Sequence, residues 1–314
     1  MQPGDRDWLE DRIRGCLAFA ALGDAAGEPF EDRTRAEVAA AGDPLRHLRD
    51  GGVVTDDTGQ LEALARALVE SGGRLTEKAW RAALLRWFRD SPTAARAGPT
   101  SRAALEGGAP GPPDGRVGVT NGAAMRAAPC GLVKAGDPGG AADLAALTAR
   151  VTHDAPVAAG AAAAIAAGVA AGLRPDARWE DVCGACARGA AAHAGGSGLP
   201  ERIGAARDAA RGGGDALERI EAAVGTSLLA IESVPAAVGA FAAASGDPLA
   251  TVRAAVRLGG DTDTIAAMAG ALAGALHGYA AQGPDRRALL DRVTPPALSE
   301  LAAPLTALAR AAPP

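Results

Sequence analysis

Long runs of small apolar residues, interrupted by short polar turns rich in Gly, Pro, Asp and Thr, cover this chain from end to end. Apolar positions recur at three- and four-residue spacing, the signature of helices with a buried face. The pattern predicts helices over 8–22, 58–70, 77–90, 101–106, 125–133, 137–150, 156–171, 179–192, 199–211, 215–224, 233–244, 247–258, 264–280 and 285–293. Start signals support several of them. Asp154 is followed by Pro156, Asp247 by Pro248, and Thr76 by helix formers, all suited to a first turn. Two stretches, 155–173 and 264–283, imitate membrane spans. Both are mostly Ala and Gly, which gain little from lipid, and both follow polar motifs. They are expected to be buried helices, with no membrane partner. In the second, Gly270, Gly274 and Gly278 fall at every fourth position, a spacing for close helix packing.

Composition sharpens the fold class. The 314 residues are 48% hydrophobic but only 3% aromatic, so the core must be built from Ala, Leu, Val and Ile. Alanine is the best helix former and strand formers are sparse, so an all-α fold is expected. The loops at 91–118 and 195–198 are neither long nor polar enough to be clear linkers, and no short repeat occurs. A single domain over 1–314 is the expected organisation. The formal net charge of −5, without a Lys/Arg stripe, argues against stable nucleic-acid binding. The opening MQPGDRDWLEDRIR has no apolar signal core, so a cytoplasmic protein is expected. A monomer is also expected. Cys183 and Cys186 form a CxxC in a helical pattern, without a second pair or nearby histidines. Two small buried side chains are expected there, not a redox or metal site.

The chemistry concentrates where helices should begin. Thr55-Asp56-Asp57-Thr58 and Gly259-Gly260-Asp261-Thr262-Asp263-Thr264 each offer two carboxylates and a threonine hydroxyl within four residues. Either turn alone reads as ordinary capping, because Asp and Thr are preferred helix caps. Together they offer hard oxygen donors without cysteine or clustered histidine, which selects Mg²⁺, Mn²⁺ or Ca²⁺ over zinc. Four carboxylates in one place would repel unless cations neutralised them, and two divalent ions would balance the charge. His153 reads either as a hydrogen-bonded partial cap or as a site residue, and Asn121-Gly122 reads first as a turn.

In this order, the segments GDAAGEPFE, TDDT, TNGAAMRAAPCGL, TH, GTSLLAIESVPAA and LGGDTDTIAAMAGALAG resemble the ADP-ribosylglycohydrolase family. That family includes dinitrogenase-reductase-activating glycohydrolase and the ADP-ribosyl-acceptor hydrolases. The resemblance runs from residue 15 to about residue 280. It implies a compact orthogonal all-α bundle with a binuclear magnesium centre that hydrolyses the N- or O-glycosidic bond between ADP-ribose and an acceptor. Carried over by motif, the metal ligands are Thr55, Asp56, Asp57, Asp261, Asp263 and Thr264. Glu31 matches the family's mobile catalytic or gating glutamate, and Asp57 and Asp263 join it as catalytic candidates. Asn121, Gly122 and Met125 match the loop that contacts ribose and diphosphate, and His153 matches the histidine lining the cleft. Gly225, Thr226, Ser227 and Leu228 match the loop beside the adenosine end.

Three positions depart from the pattern. Leu228 stands where many bacterial members carry an aromatic residue, Gly59-Gln60 replaces the frequent Gln-Met pair, and Ala155 stands where a second histidine is common. The expected substrate is an ADP-ribosylated protein, nucleic acid or small molecule, with two Mg²⁺ ions or Mn²⁺ as cofactor. Two other readings stay open: an N-ribosyl hydrolase of a NAD-derived metabolite, and a non-catalytic ADP-ribose binding module.

Overall fold

The computed structural model describes residues 6–107 and 118–311. Its α-helices are α1 (Arg6–Gly27), α2 (Arg35–Ala41), α3 (Asp56–Glu70), α4 (Glu77–Asp90), α5 (Pro99–Leu105), α6 (Ala128–Val133), α7 (Pro138–Ala149), α8 (Pro156–Gly172) and α9 (Trp179–His193). They continue as α10 (Leu199–Arg211), α11 (Ala216–Val224), α12 (Ala230–Ala243), α13 (Pro248–Arg257), α14 (Thr262–His277), α15 (Gly283–Val293), α16 (Pro296–Ser299) and α17 (Ala302–Ala311). Among the described residues there is no β-strand, only the isolated bridges Arg33–Gly260 and Thr120–Leu229. The all-α expectation holds. One main apolar cluster takes in side chains from α1 through α17.

The most extensive helix pair is α1 with α14, and glycine makes it possible. A Cβ at Gly270 would overlap the carbonyl oxygen of Phe19, and one at Gly274 would overlap that of Gly15. From the other side, Gly23 faces Ala266 and Gly27 faces Asp263. The two backbones touch along their length, running antiparallel. The fourfold glycine spacing is therefore a packing device, as expected. Both membrane-like stretches, now α8 and α14, are almost wholly buried. Among the described residues, no single helix is long and apolar enough to cross a membrane. One bent pair, Thr262–His277 with Ala280–Val293, passes by length and composition only.

Several boundaries moved. The first helix runs to Gly27, not to residue 22, because the close seat on α14 overrides the stop signal of Gly23. Helices α3 and α14 begin two residues earlier than expected, so Asp56, Asp57 and Asp263 lie in first turns. Helices α2, α16 and α17 were not expected. For α2 a signal was present: Thr34 and Glu37 form a capping box. Cys183 and Cys186 are buried thiols on α9, neither in a disulfide, and burial pushes Cys183 up to about 12. These are the two small buried side chains expected there. Residues 108–117 of the 91–118 loop lie outside the described residues.

Candidate active site

Three helix ends meet at one point. The antiparallel pairing of α1 and α14 brings the end of α1 to the start of α14, where Thr262 Oγ1 donates to the Gly27 carbonyl at 2.8 Å. The start of α3 is fixed to the same place by Asp24. Its buried carboxylate accepts from the backbone N–H of Thr55 at 2.9 Å, that of Thr58 at 3.1 Å, and the Thr58 hydroxyl. The two acidic turns are then within reach of each other. Thr264 Oγ1 donates to Asp57 Oδ2 at 3.2 Å, across 207 residues of chain.

Backbone hydrogen bonds lace the surrounding loops into one wall. Asp32 donates to the Gly260 carbonyl at 2.9 Å, and Gly260 donates to that of Arg33 at 2.8 Å. The Asp261 N–H donates to the Thr226 carbonyl at 2.9 Å. Further along, Asn121 donates to the Leu228 carbonyl and Ala230 to that of Val119, both at 3.0 Å. Capping alone does not explain the acidic turns. Thr55 does cap α3, accepting from the Asp57 N–H at 3.2 Å. Asp261 sits at the cap position of α14 but makes no capping bond, and its carboxylate instead accepts from the Asn121 amide.

These elements surround a cavity of about 150 Å³. Glu31, Asp56, Asp57, Asp261, Asp263 and Thr264 line it, as do Asn121, Gly122, Met125, His153 and Leu228. Thr55 lies behind them, buried, with its hydroxyl 3.3 Å from Asp57 Oδ2. Gly225, Thr226 and Ser227 are not among the lining residues. Thr226 braces the Gly260 turn, and the Ser227 N–H donates to Glu232 at 3.1 Å. A larger cavity of about 610 Å³ runs along another face of α3, between Thr58 and Trp87. Its acids, Glu62 and Asp90, are each ion-paired with an arginine, so the crowded carboxylates are those of the smaller cavity.

The electrostatics are those of crowded buried acids. Burial pushes Asp56 up to about 7, with Asp24 adding to the shift. Asp57 is raised well above the usual range by burial, then by Asp263, Asp24 and Asp56. Asp263 is raised in the same way by burial and by Asp261. Glu31 is raised by burial, against the pull of Arg96, which it meets at 3.2 Å. His153 is buried and lowered to about 3 by burial and by Arg126, so its ring is neutral.

A hard divalent cation fits this donor set. The donors are oxygens, negative charge is in excess, and Asp57 Oδ1 is buried with no partner among the described residues. Among the described residues, no three His, Cys, Asp or Glu side chains are already drawn tightly enough together to hold an ion. The hydroxyls of Thr55 and Thr264 hold Asp57 Oδ2.

Three contributors were not singled out from the sequence. Asp24 lay inside the quoted GDAAGEPFE, and its signal was a carboxylate one helical turn from Gly27 in an otherwise apolar run. Arg96 is the one Lys or Arg among the described lining residues, and it binds Glu28 as well as Glu31. Gly98, Pro99, Thr100 and Ser101 bring the described part of the 91–118 loop to the cavity.

A family model described as ADP-ribosylglycohydrolase matches residues 5–313. The chain is 34% identical over 311 residues to the YegU protein of Escherichia coli K12, covering 90% of this chain and 92% of that one. A protein of Archaeoglobus fulgidus is 31% identical over 278 residues, covering 85% and 88%. A solved structure titled "ADP-ribosylglycohydrolase-related protein complex" superposes with a TM-score of 0.68 at 28% identity, covering 97% of this chain and 99% of that one.

Proposed function

This chain belongs to the ADP-ribosylglycohydrolase family and has its all-α fold, and on that premise we propose that it is a Mg²⁺-dependent hydrolase of the glycosidic bond between ADP-ribose and an acceptor. The acceptor is a protein side chain, a nucleobase or a small molecule. One observation carries this reading: two acidic turns, 207 residues apart, converge on one cavity with a buried, unpartnered Asp57 oxygen among them.

Thr55, Asp56, Asp57, Asp261, Asp263 and Thr264 would hold two Mg²⁺ ions, with Mn²⁺ as a substitute. Such ions, when bound, fix ribose hydroxyls and acidify a coordinated water. Glu31, its proton affinity raised by burial, takes a proton from the attacking water at its carboxylate. Its Oε2 accepts from Arg96, which leaves Oε1 for that proton. The carboxylates of Asp57 and Asp263 stabilise positive charge developing at the anomeric carbon. The bond to the acceptor breaks, the proton that Glu31 took up passes to the departing acceptor, and free ADP-ribose remains. Asn121, Gly122, Met125 and the neutral His153 form the wall for ribose and diphosphate, and Leu228 marks the adenosine end.

A second reading draws on the modest cavity of about 150 Å³ and the aliphatic Leu228 beside it. Both suit a ribosyl group smaller than ADP-ribose, as in an N-ribosyl metabolite derived from NAD. The test is a release assay over arginine-, serine- and nucleobase-linked ADP-ribose, O-acetyl-ADP-ribose and plain N-ribosyl compounds. Cleavage of an ADP-ribosyl substrate supports the first reading, and cleavage of ribosyl compounds alone supports the second. Tight ADP-ribose binding without cleavage of any substrate would make the chain a reader module.

A further inference from the structure

Arg126 is fully buried, and its guanidinium donates to neutral atoms: Gln60 Oε1 at 2.6 Å and Thr152 Oγ1 at 2.7 Å. The guanidinium also lies 5.4 Å from the Trp80 ring centroid, while its Nε has no partner among the described residues, so part of the charge is met through what lies beyond the two bonds. Arginine can only donate, and this fixes the direction of everything downstream. On one side, Gln60 must turn its oxygen to Arg126, so its amide N–H points away. That N–H donates to Asp56 Oδ2 at 3.0 Å. On the other side, Thr152 Oγ1 accepts from Arg126, which frees its own proton. Among the described residues its further partner is His153 Nδ1, at 2.8 Å. Nδ1 is therefore the acceptor, and the ring proton sits on Nε2, which faces Thr120 Oγ1 at 3.0 Å. Thr120 can accept it, because its own proton goes to Thr100 Oγ1 at 3.2 Å.

We infer that Arg126 is a positioning residue for both halves of the site: it orients the Asp56 carboxylate through Gln60 and locks His153 as the Nε2–H tautomer through Thr152. The His153 ring edge packs against Gly122, where a Cβ would come within 2.9 Å of Cε1. A ring turned the other way would move that wall of the cavity. One buried cation thereby keeps the acidic floor and the sugar-binding wall in register. The Asp56 arm rests on the proposed metal centre, whereas the His153 arm does not.

Each arm can be cut separately in the full chain. Gln60→Met removes the link to Asp56, Thr152→Val removes the link to His153, and Arg126→Met removes both. Two readouts are used: calorimetric titration with Mg²⁺, and imidazole nitrogen NMR, with His153 assigned by its loss in His153→Gln. Wild type is expected to show protonated Nε2 and bare Nδ1 at His153. Gln60→Met is expected to weaken Mg²⁺ binding by about 10–100-fold, the usual cost of losing a ligand's support, with the tautomer unchanged. Thr152→Val is expected to mix the tautomers and leave Mg²⁺ affinity within about twofold, below that cost. Arg126→Met should show both effects. Protonated Nδ1 in wild type, or undiminished Mg²⁺ affinity in Gln60→Met, overturns the inference. If wild type takes up no Mg²⁺, the proposed function fails, and the tautomer in wild type and Thr152→Val decides the inference by itself.

Discussion

Asp57 and Leu228 line the same cavity, yet they are held in opposite ways. Asp57 is buried, its carboxylate gripped by hydroxyls from both acidic turns, and its neighbours Thr55 and Thr58 are pinned by Asp24. Leu228 is 50% exposed. Its backbone is fixed by the bond from Asn121. The floor is over-determined by contacts from three helices, so a change there propagates. The rim is a fixed backbone carrying a replaceable side chain. Under the proposed function, bond breaking would fall to the floor and substrate choice to the rim.

The sharpest break in this comparison is a floor carboxylate. Asp57→Ala or Asp263→Ala is expected to lower turnover by more than the ~100-fold upper cost of losing a supporting residue, with the helical circular-dichroism signal retained. Next comes Asp24→Asn, which replaces an acceptor of several hydrogen bonds with a group that is half donor. Mg²⁺ affinity should fall about 10–100-fold by calorimetry, and thermal unfolding should show a loss of about 1–3 kcal/mol.

The rim should respond differently. Leu228→Trp offers adenine a stacking face and should lower KM for an ADP-ribosyl substrate, by about fivefold if stacking adds about 1 kcal/mol. Its kcat and unfolding temperature should not move. An unchanged KM would detach Leu228 from adenosine recognition and favour the smaller ribosyl substrate.

A pH dependence of stability is confined to the floor. Burial raises Asp56 from its ordinary 3.8 to about 7, so the folded chain holds that proton more tightly than the unfolded chain does. This contribution to stability is complete below about 3.8 and is lost as pH rises through about 7. In EDTA, the unfolding temperature should therefore decline across that window, and less so in Asp56→Asn. Added Mg²⁺ should oppose the decline, because a bound cation favours the ionised carboxylates.

The floor was largely readable in the sequence, because TDDT and GGDTDT declare paired carboxylates at helix starts. Their convergence was not readable from spacing, since it depends on the antiparallel seat of α1 on α14. The same seat hid the true end of α1: Gly23 and Gly27 look like helix stops until the facing backbone is in view. Asp24 escaped notice for that reason, as a lone acid in a helix whose end was placed too early. Arg126 was quoted in TNGAAMRAAPCGL without a role, because its partners come from α3 and from the Thr152 turn, remote in sequence. At the rim the sequence named Gly225, Thr226 and Ser227, of which none lines the cavity. Thr226 braces the Asp261 turn through its carbonyl, a backbone role that side-chain patterns do not report.

The most direct test measures ADP-ribose release from the acceptor panel by the wild-type chain, in Mg²⁺ and in excess EDTA, beside Asp263→Ala. Release from at least one acceptor in Mg²⁺, lost in EDTA and in Asp263→Ala, and restored to wild type by added Mg²⁺, is the expected result. Equal release in EDTA, or an Asp263→Ala chain as active as wild type, would contradict a metal-bearing acidic floor as the seat of the reaction.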